Sequence, residues 1–219
     1  GDRGYVVTFK KTDPLFVFDL ADPRHPKQAG ELKIPGFSTY MHMMDATHLL
    51  TIGYDANDHD SFAYFDGVLL QIFDVSDPKN PTQTQRYKIG TRGSSSEALT
   101  NHLAFNYFAP KNVLAVPMTI CEASEGGGDF GDHMTFGGLY VYDVTFEDGF
   151  SLLGAVPHAE PELAGVSNGA CYNWWTQSAS LVKRSVFMED WVFSIAGDAI
   201  KVAHIGDLGN PAVTIPLVQ

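Results

Sequence analysis

One segment of the sequence occurs twice with its corners intact, and it decides what the chain can fold into. Residues 16–26 read Phe-Val-Phe-Asp-Leu-Ala-Asp-Pro-Arg-His-Pro and residues 71–81 read Gln-Ile-Phe-Asp-Val-Ser-Asp-Pro-Lys-Asn-Pro. Asp19, Asp22, Pro23 and Pro26 thus return as Asp74, Asp77, Pro78 and Pro81. Weaker copies are Val141-Tyr142-Asp143-Val144 and Val202-Ala203-His204-Ile205-Gly206-Asp207, the latter closed by Asn210-Pro211. In each copy an apolar, β-rich run halts at a polar corner. Asp side chains there accept bonds from N–H groups two residues on, and Pro fixes φ. The second Pro cannot donate to a ladder, so the next strand starts after it.

Between corners the pattern predicts four short strands per unit. They are Thr39–Met44, His48–Ile52, Val68–Phe73 and Thr82–Lys88, then His102–Tyr107, Val113–Val116, Leu139–Tyr142 and Ser151–Val156, then Lys183–Met188, Trp191–Ile195, Ile200–His204 and Ala212–Val218. Four strands in a unit of roughly 50–65 residues is the pattern of propeller blades. A sandwich is the alternative, but sandwiches do not repeat a strand-Asp-x-x-Asp-Pro unit at this interval. The expected fold class is all-β: a β-propeller with blades of four antiparallel strands. Residues 1–36 supply strands b to d of a first blade, and 37–90, 91–158 and 159–219 supply three more. Such a set of about 3.75 blades falls short of the roughly four to eight that usually close a ring. The chain is therefore expected to be the C-terminal portion of a larger propeller, completed by blades or a second chain preceding Gly1.

Composition narrows the function classes. With 44% hydrophobic, 12% aromatic and only 18% charged residues among 219, the chain buries a core and is not disordered in the main. Its 14 Lys+Arg against 26 Asp+Glu give a net charge of −12, the wrong sign for gripping nucleic-acid phosphates. No run of about 18 apolar residues exists, so no membrane span is expected.

His42 and Arg184 stand the same distance before Leu50 and Val192 of the b strands. His102 stands four residues farther before Leu114, which a longer turn around Ala109-Pro110-Lys111-Asn112 would absorb. This places all three near the start of strand a in successive blades, the strand that lines a propeller's channel. Such a set suits a transition metal, an anion or a channel water network; the alternative is capping of buried carbonyls or neighbouring carboxylates. The b–c connection Gly53–Gly67 carries Asp55, Asn57, Asp58 and Asp60, oxygen ligands of the kind Ca²⁺ takes, although the spacing departs from an EF-hand and a solvated acidic loop is the alternative. A second long connection, Thr119–Gly138, is rich in Gly and acid. Tyr172, Trp174 and Trp175 could stack on a sugar, or pack in an interface. Gly165-Val166-Ser167-Asn168-Gly169 matches a nucleophile elbow but lacks the strand before and the helix after.

The runs Gly1–Phe9, Asp13–Leu20 and Gly30–Tyr40, together with Ser96-Glu97-Ala98, His102–Phe105 and Arg184–Phe187, resemble the secreted β-propeller-domain proteins of bacteria and archaea. The likeness runs through nearly the whole chain; the acidic, Gly-rich insertion in the third unit departs from it. It implies an exported propeller at the cell surface or outside it, and it brings no reaction with it. Cys121 and Cys171 are compatible with one disulfide or with two buried thiols, and export implies the disulfide. The leading expectation is a noncatalytic scaffold that binds an extracellular protein partner, with Ca²⁺ ordering an acidic face. The runner-up is a metal-dependent enzyme or metal-binding protein using His42, His102 and Arg184, and a weaker reading is a carbohydrate-binding module.

Overall fold

A computed structural model describes residues 2–8, 12–59, 62–123, 131–160, 171 and 178–217. Asp60, the Gly165–Gly169 pattern, Tyr172, Trp174 and Trp175 lie outside the described residues. The chain forms two compact units, Gly1–Lys88 and Ile89–Gln219, and each is built from antiparallel sheets.

In the first unit, β1 (Arg3–Val7), β2 (Thr12–Asp19) and β3 (Lys27–Pro35) form a three-stranded sheet in sequence order. A four-stranded sheet follows, with β4 (Phe37–Met43), β5 (His48–His59), β6 (Phe62–Asp74) and β7 (Thr82–Ile89), again in order. In the second unit the third sheet runs β8 (Asn106–Phe108), β9 (Val113–Glu122), β10 (His133–Thr145), β11 (Gly149–Ala159). The fourth runs β12 (Val182–Met188), β13 (Trp191–Ala196), β14 (Ala199–His204), β15 (Val213–Pro216). Each is an antiparallel meander, of three strands in the first sheet and four in the others among the described residues.

The corners work as the repeated residues dictate. Asp19 and Asp22 accept from the N–H groups of Ala21 (2.9 Å) and Arg24 (3.1 Å), and Asp74 and Asp77 from those of Ser76 (2.8 Å) and Lys79 (2.9 Å). Bonds from the His25, Ser76 and Asn80 side chains help hold the Asp22, Asp74 and Asp77 carboxyls below the usual carboxylate range. The corner closing β14 keeps the theme with two side-chain bonds, Gly206 N–H to His204 Nδ1 at 3.0 Å and Asn210 Nδ2 to Asp207 Oδ1 at 2.8 Å.

Because the corners recur, residues can be matched by ladder position. Val17, Ile72, Val141 and Val202 each stand two residues before a corner residue, and the face that bears them is here termed leading; the other is trailing. In the first unit the leading face of the first sheet (Tyr5, Leu15, Leu32) packs on the trailing face of the second (Met41, Leu49, Phe73). In the second unit the leading face of the third sheet (Ala115, Leu139, Val156) packs on the trailing face of the fourth (Val182, Val192, Ala203).

Close approach is set by glycine. Gly30, across the ladder from Val17, faces the second sheet's corner so tightly that a Cβ would lie 2.7 Å from the Lys79 carbonyl oxygen and closer still to that of Pro78. Gly154, across from Val141, holds the same ladder place on β11, and Leu208 of the fourth sheet's corner sits on it, 3.1 Å from where a Cβ would stand.

Candidate functional site

His42 pairs with Leu50, which pairs with Ile72. The same level of the third sheet is Asn106, Ala115, Val141, and of the fourth Val186, Phe193, Val202. His42 is therefore matched by Asn106 and Val186, a correction to the expectation that His42, His102 and Arg184 hold equivalent places. Arg184 pairs with Ile195, one same-face level farther from the corner. His102 precedes β8 in a 3-10 turn, His102–Ala104, whose N-cap Asn101 accepts from Leu103 N–H at 3.2 Å. The mismatch has two causes. The fourth sheet's a–b connection, residues 189–190, is shorter than those of the second and third, residues 44–47 and 109–112, and β8 begins only at Asn106, so counting back from strand b loses register. His42 is half-buried, with the Tyr40 hydroxyl 3.5 Å from Nδ1, and desolvation pushes its pKa down.

The acidic connection is also different from the loop expected. Strands β5 and β6 extend through it as a long hairpin, with Asn57 paired to Tyr64 and Asp58 to Ala63. Asp55 is buried at 3% exposure and is ion-paired with Arg86 of β7. Its charge is answered by a guanidinium, the outcome a buried carboxylate requires. Among the described residues no group of three or more His, Cys, Asp or Glu side chains is placed to hold a metal ion. That finding overturns the expectation of Ca²⁺ at Asp55, Asn57, Asp58 and Asp60 and of a transition metal at His42, His102 and Arg184.

Cys121, the ninth residue of β9, is bonded to Cys171 with a Cα–Cα distance of 5.8 Å, and both are buried. Met134 and Ala159 complete a small cluster around them. The Ser94 hydroxyl is fixed beside the bond: it donates to the Cys121 carbonyl at 3.1 Å and accepts from the Cys121 N–H at 2.9 Å.

Two groups of residues escaped the sequence reading. The first is a set of polar stitches between the third and fourth sheets. Asn106 Nδ2 donates to the Ser185 carbonyl and hydroxyl at 3.0 and 3.1 Å, Lys201 Nζ donates to the Pro157 carbonyl at 2.6 Å, and Ser194 Oγ lies 2.9 Å from His158 Nε2. Burial and the Lys201 charge push the His158 pKa down to about 4, against a smaller opposite pull from Asp198. Ser194 is fully buried, so this serine–histidine pair is a tie between sheets rather than an exposed nucleophile and base.

The second is the leading face of the fourth sheet. Its rows are Val186–Phe193–Val202–Val213, Arg184–Ile195–Ile200–Ile215 and Met188–Trp191–His204. Val186, Met188, Trp191, Val213 and Ile215 are 39–59% exposed. A signal existed: Trp191-Val-Phe-Ser-Ile is apolar at nearly every position, the pattern of a strand covered on both faces.

Corner-bounded sheets stacked leading face to trailing face within each unit define a part of a β-propeller. The chain belongs to the beta propeller domain family, whose pattern matches residues 1–208. An uncharacterized protein of Archaeoglobus fulgidus is 35% identical over 156 residues, 71% of this chain and 20% of that protein. An uncharacterized protein of Methanocaldococcus jannaschii is 44% identical over 90 residues, 41% of this chain and 13% of that protein. The matched part of this chain thus spans a fifth or less of these relatives' length. The solved structure of cobalt-substituted Synechocystis ACO aligns over 92% of this chain and 43% of that one, with a TM-score of 0.39 and 12% identity, too slight a likeness to carry an argument. Among the described residues no helix is long and apolar enough to cross a membrane.

Proposed function

We propose that the chain is a noncatalytic binding and assembly scaffold, a set of blades within a larger exported propeller that meets an extracellular protein partner. The bare edge of β1 carries this reading. The other three sheets have four strands, whereas the first has three, and among the described residues β1 pairs with β2 alone. An unpaired edge offers N–H and C=O groups to an arriving strand, and strand addition is a general mode of assembly. The length of the curated relatives supports the presence of further blades. The Cys121–Cys171 bond supports export, because such bonds persist in oxidising compartments.

Amide hydrogen exchange and native mass spectrometry test the proposal together. In the native assembled protein the Arg3–Val7 amides are expected to exchange at least about 100-fold more slowly than in the 219-residue chain by itself, as an added ladder requires. A native species of 24.0 kDa with rapidly exchanging β1 amides overturns it.

A further inference from the structure

We propose that the leading face of the fourth sheet is the docking surface for one more antiparallel sheet, a propeller blade outside these 219 residues. The inference rests on the larger-ring reading above and assigns its contact surface. Within each unit the leading face of one sheet is covered by the trailing face of the next, in the cluster around Leu15 and Phe73 and in that around Val141 and Ala203. The fourth sheet carries its apolar residues at the same ladder positions. Yet Met188 is 59% exposed there, and Val213 and Ile215 at the sheet's far edge 49% and 45%. An apolar surface spread over all four strands of one face is what a covered sheet looks like before its cover arrives.

Charge and length choose the occupant. The face rows contain no carboxylate; Arg184 stands at one end and His204, with Asp190 and Asp207 beside it, at the other. A trailing face with an apolar centre and a polar margin that places an acceptor at Arg184 therefore fits. A second copy of a chain with net charge −12 approaches against repulsion. Relatives of which the matched part of this chain spans a fifth or less have length to supply the sheet. The fit differs from those inside the units at one point. Val213, across from Val202, stands where Gly30 and Gly154 stand, so the incoming corner is held off by a side chain there.

Oxidative footprinting of the native assembled protein against its urea-unfolded state reads the face directly. Met188 and Trp191 are expected to react at least about tenfold more slowly in the native protein, as fully buried side chains do, while Met43, 38% exposed, stays reactive. A photo-crosslinker at Ile215 should capture a strand of a further propeller sheet. Capture of a second copy of this chain, or native reactivity of Met188 matching Met43, overturns the proposal. The paired substitution Val186→Lys with Ile215→Lys should weaken assembly about 100-fold by placing charges in an apolar contact, while Thr214→Lys on the trailing face leaves it unchanged. If the paired variant melts like the parent and assembles like it, the proposal falls. These readouts are independent of β1 exchange, so protected β1 amides with an open Met188 would sink the docking face and spare the larger ring.

Discussion

His158 shows how a single ring can tie two sheets together and make the tie sensitive to acid. Its folded pKa, pushed down to about 4, lies below the ordinary value of 6.5. The unfolded chain therefore binds the proton more readily than the folded one between those values. The stabilisation is complete above pH 6.5 and is lost as pH falls through about 4. His158→Gln is expected to flatten the acid limb of stability between those limits by about 1–2 kcal/mol, a figure discounted for the half-exposed ring; urea unfolding across a pH series checks it. The corner carboxylates Asp22, Asp74 and Asp77, held low by their hydrogen bonds, act in the same direction at lower pH. At the disulfide, Cys171→Ser should cost about 4 kcal/mol in the chain-entropy account of a bond spanning 50 residues. The check is that dithiothreitol lowers the melting temperature of the parent by as much and leaves the variant unmoved.

At the scale of elements, the glycine seats make the sharpest prediction. Gly30→Ala drives a methyl group into backbone carbonyls of the Pro78–Lys79 corner, which cannot turn aside, and should destabilise by about 1–3 kcal/mol. Gly154→Ala meets the Leu208 side chain, which can shift, but it also strains a backbone held at φ +158°, so it should lose a comparable amount by a different route. Paired denaturant melts compare the two. The corners were legible in the sequence because Asp and Pro act locally: Asp19, Asp22, Asp74 and Asp77 make the bonds their spacing foretold. The hairpin through Asn57 and Asp58 was not, because Asp and Asn are poor strand formers by themselves and only the facing strand holds them extended. His102 was expected on a strand and sits in a 3-10 turn, since Asn101 caps the turn. The axial set built on it failed for a related reason: connection length is free to vary where ladder position is not.

For the molecule as a whole, the net charge of −12 sets a background repulsion that salt relieves. Raising NaCl from about 0.01 to 0.15 M should lift the melting temperature by about 2–4 °C, the shift that about 1 kcal/mol gives in a chain of this size. The two glycine seats carry a further consequence at this scale. A sheet pressed against its neighbour's outermost strand at a point with no side chain tilts toward it, so a missing methyl group fixes the wedge angle between the pair. Rings close by summing such angles. A family that exchanged this one small residue for a larger one would open each wedge and change how many blades make a circle.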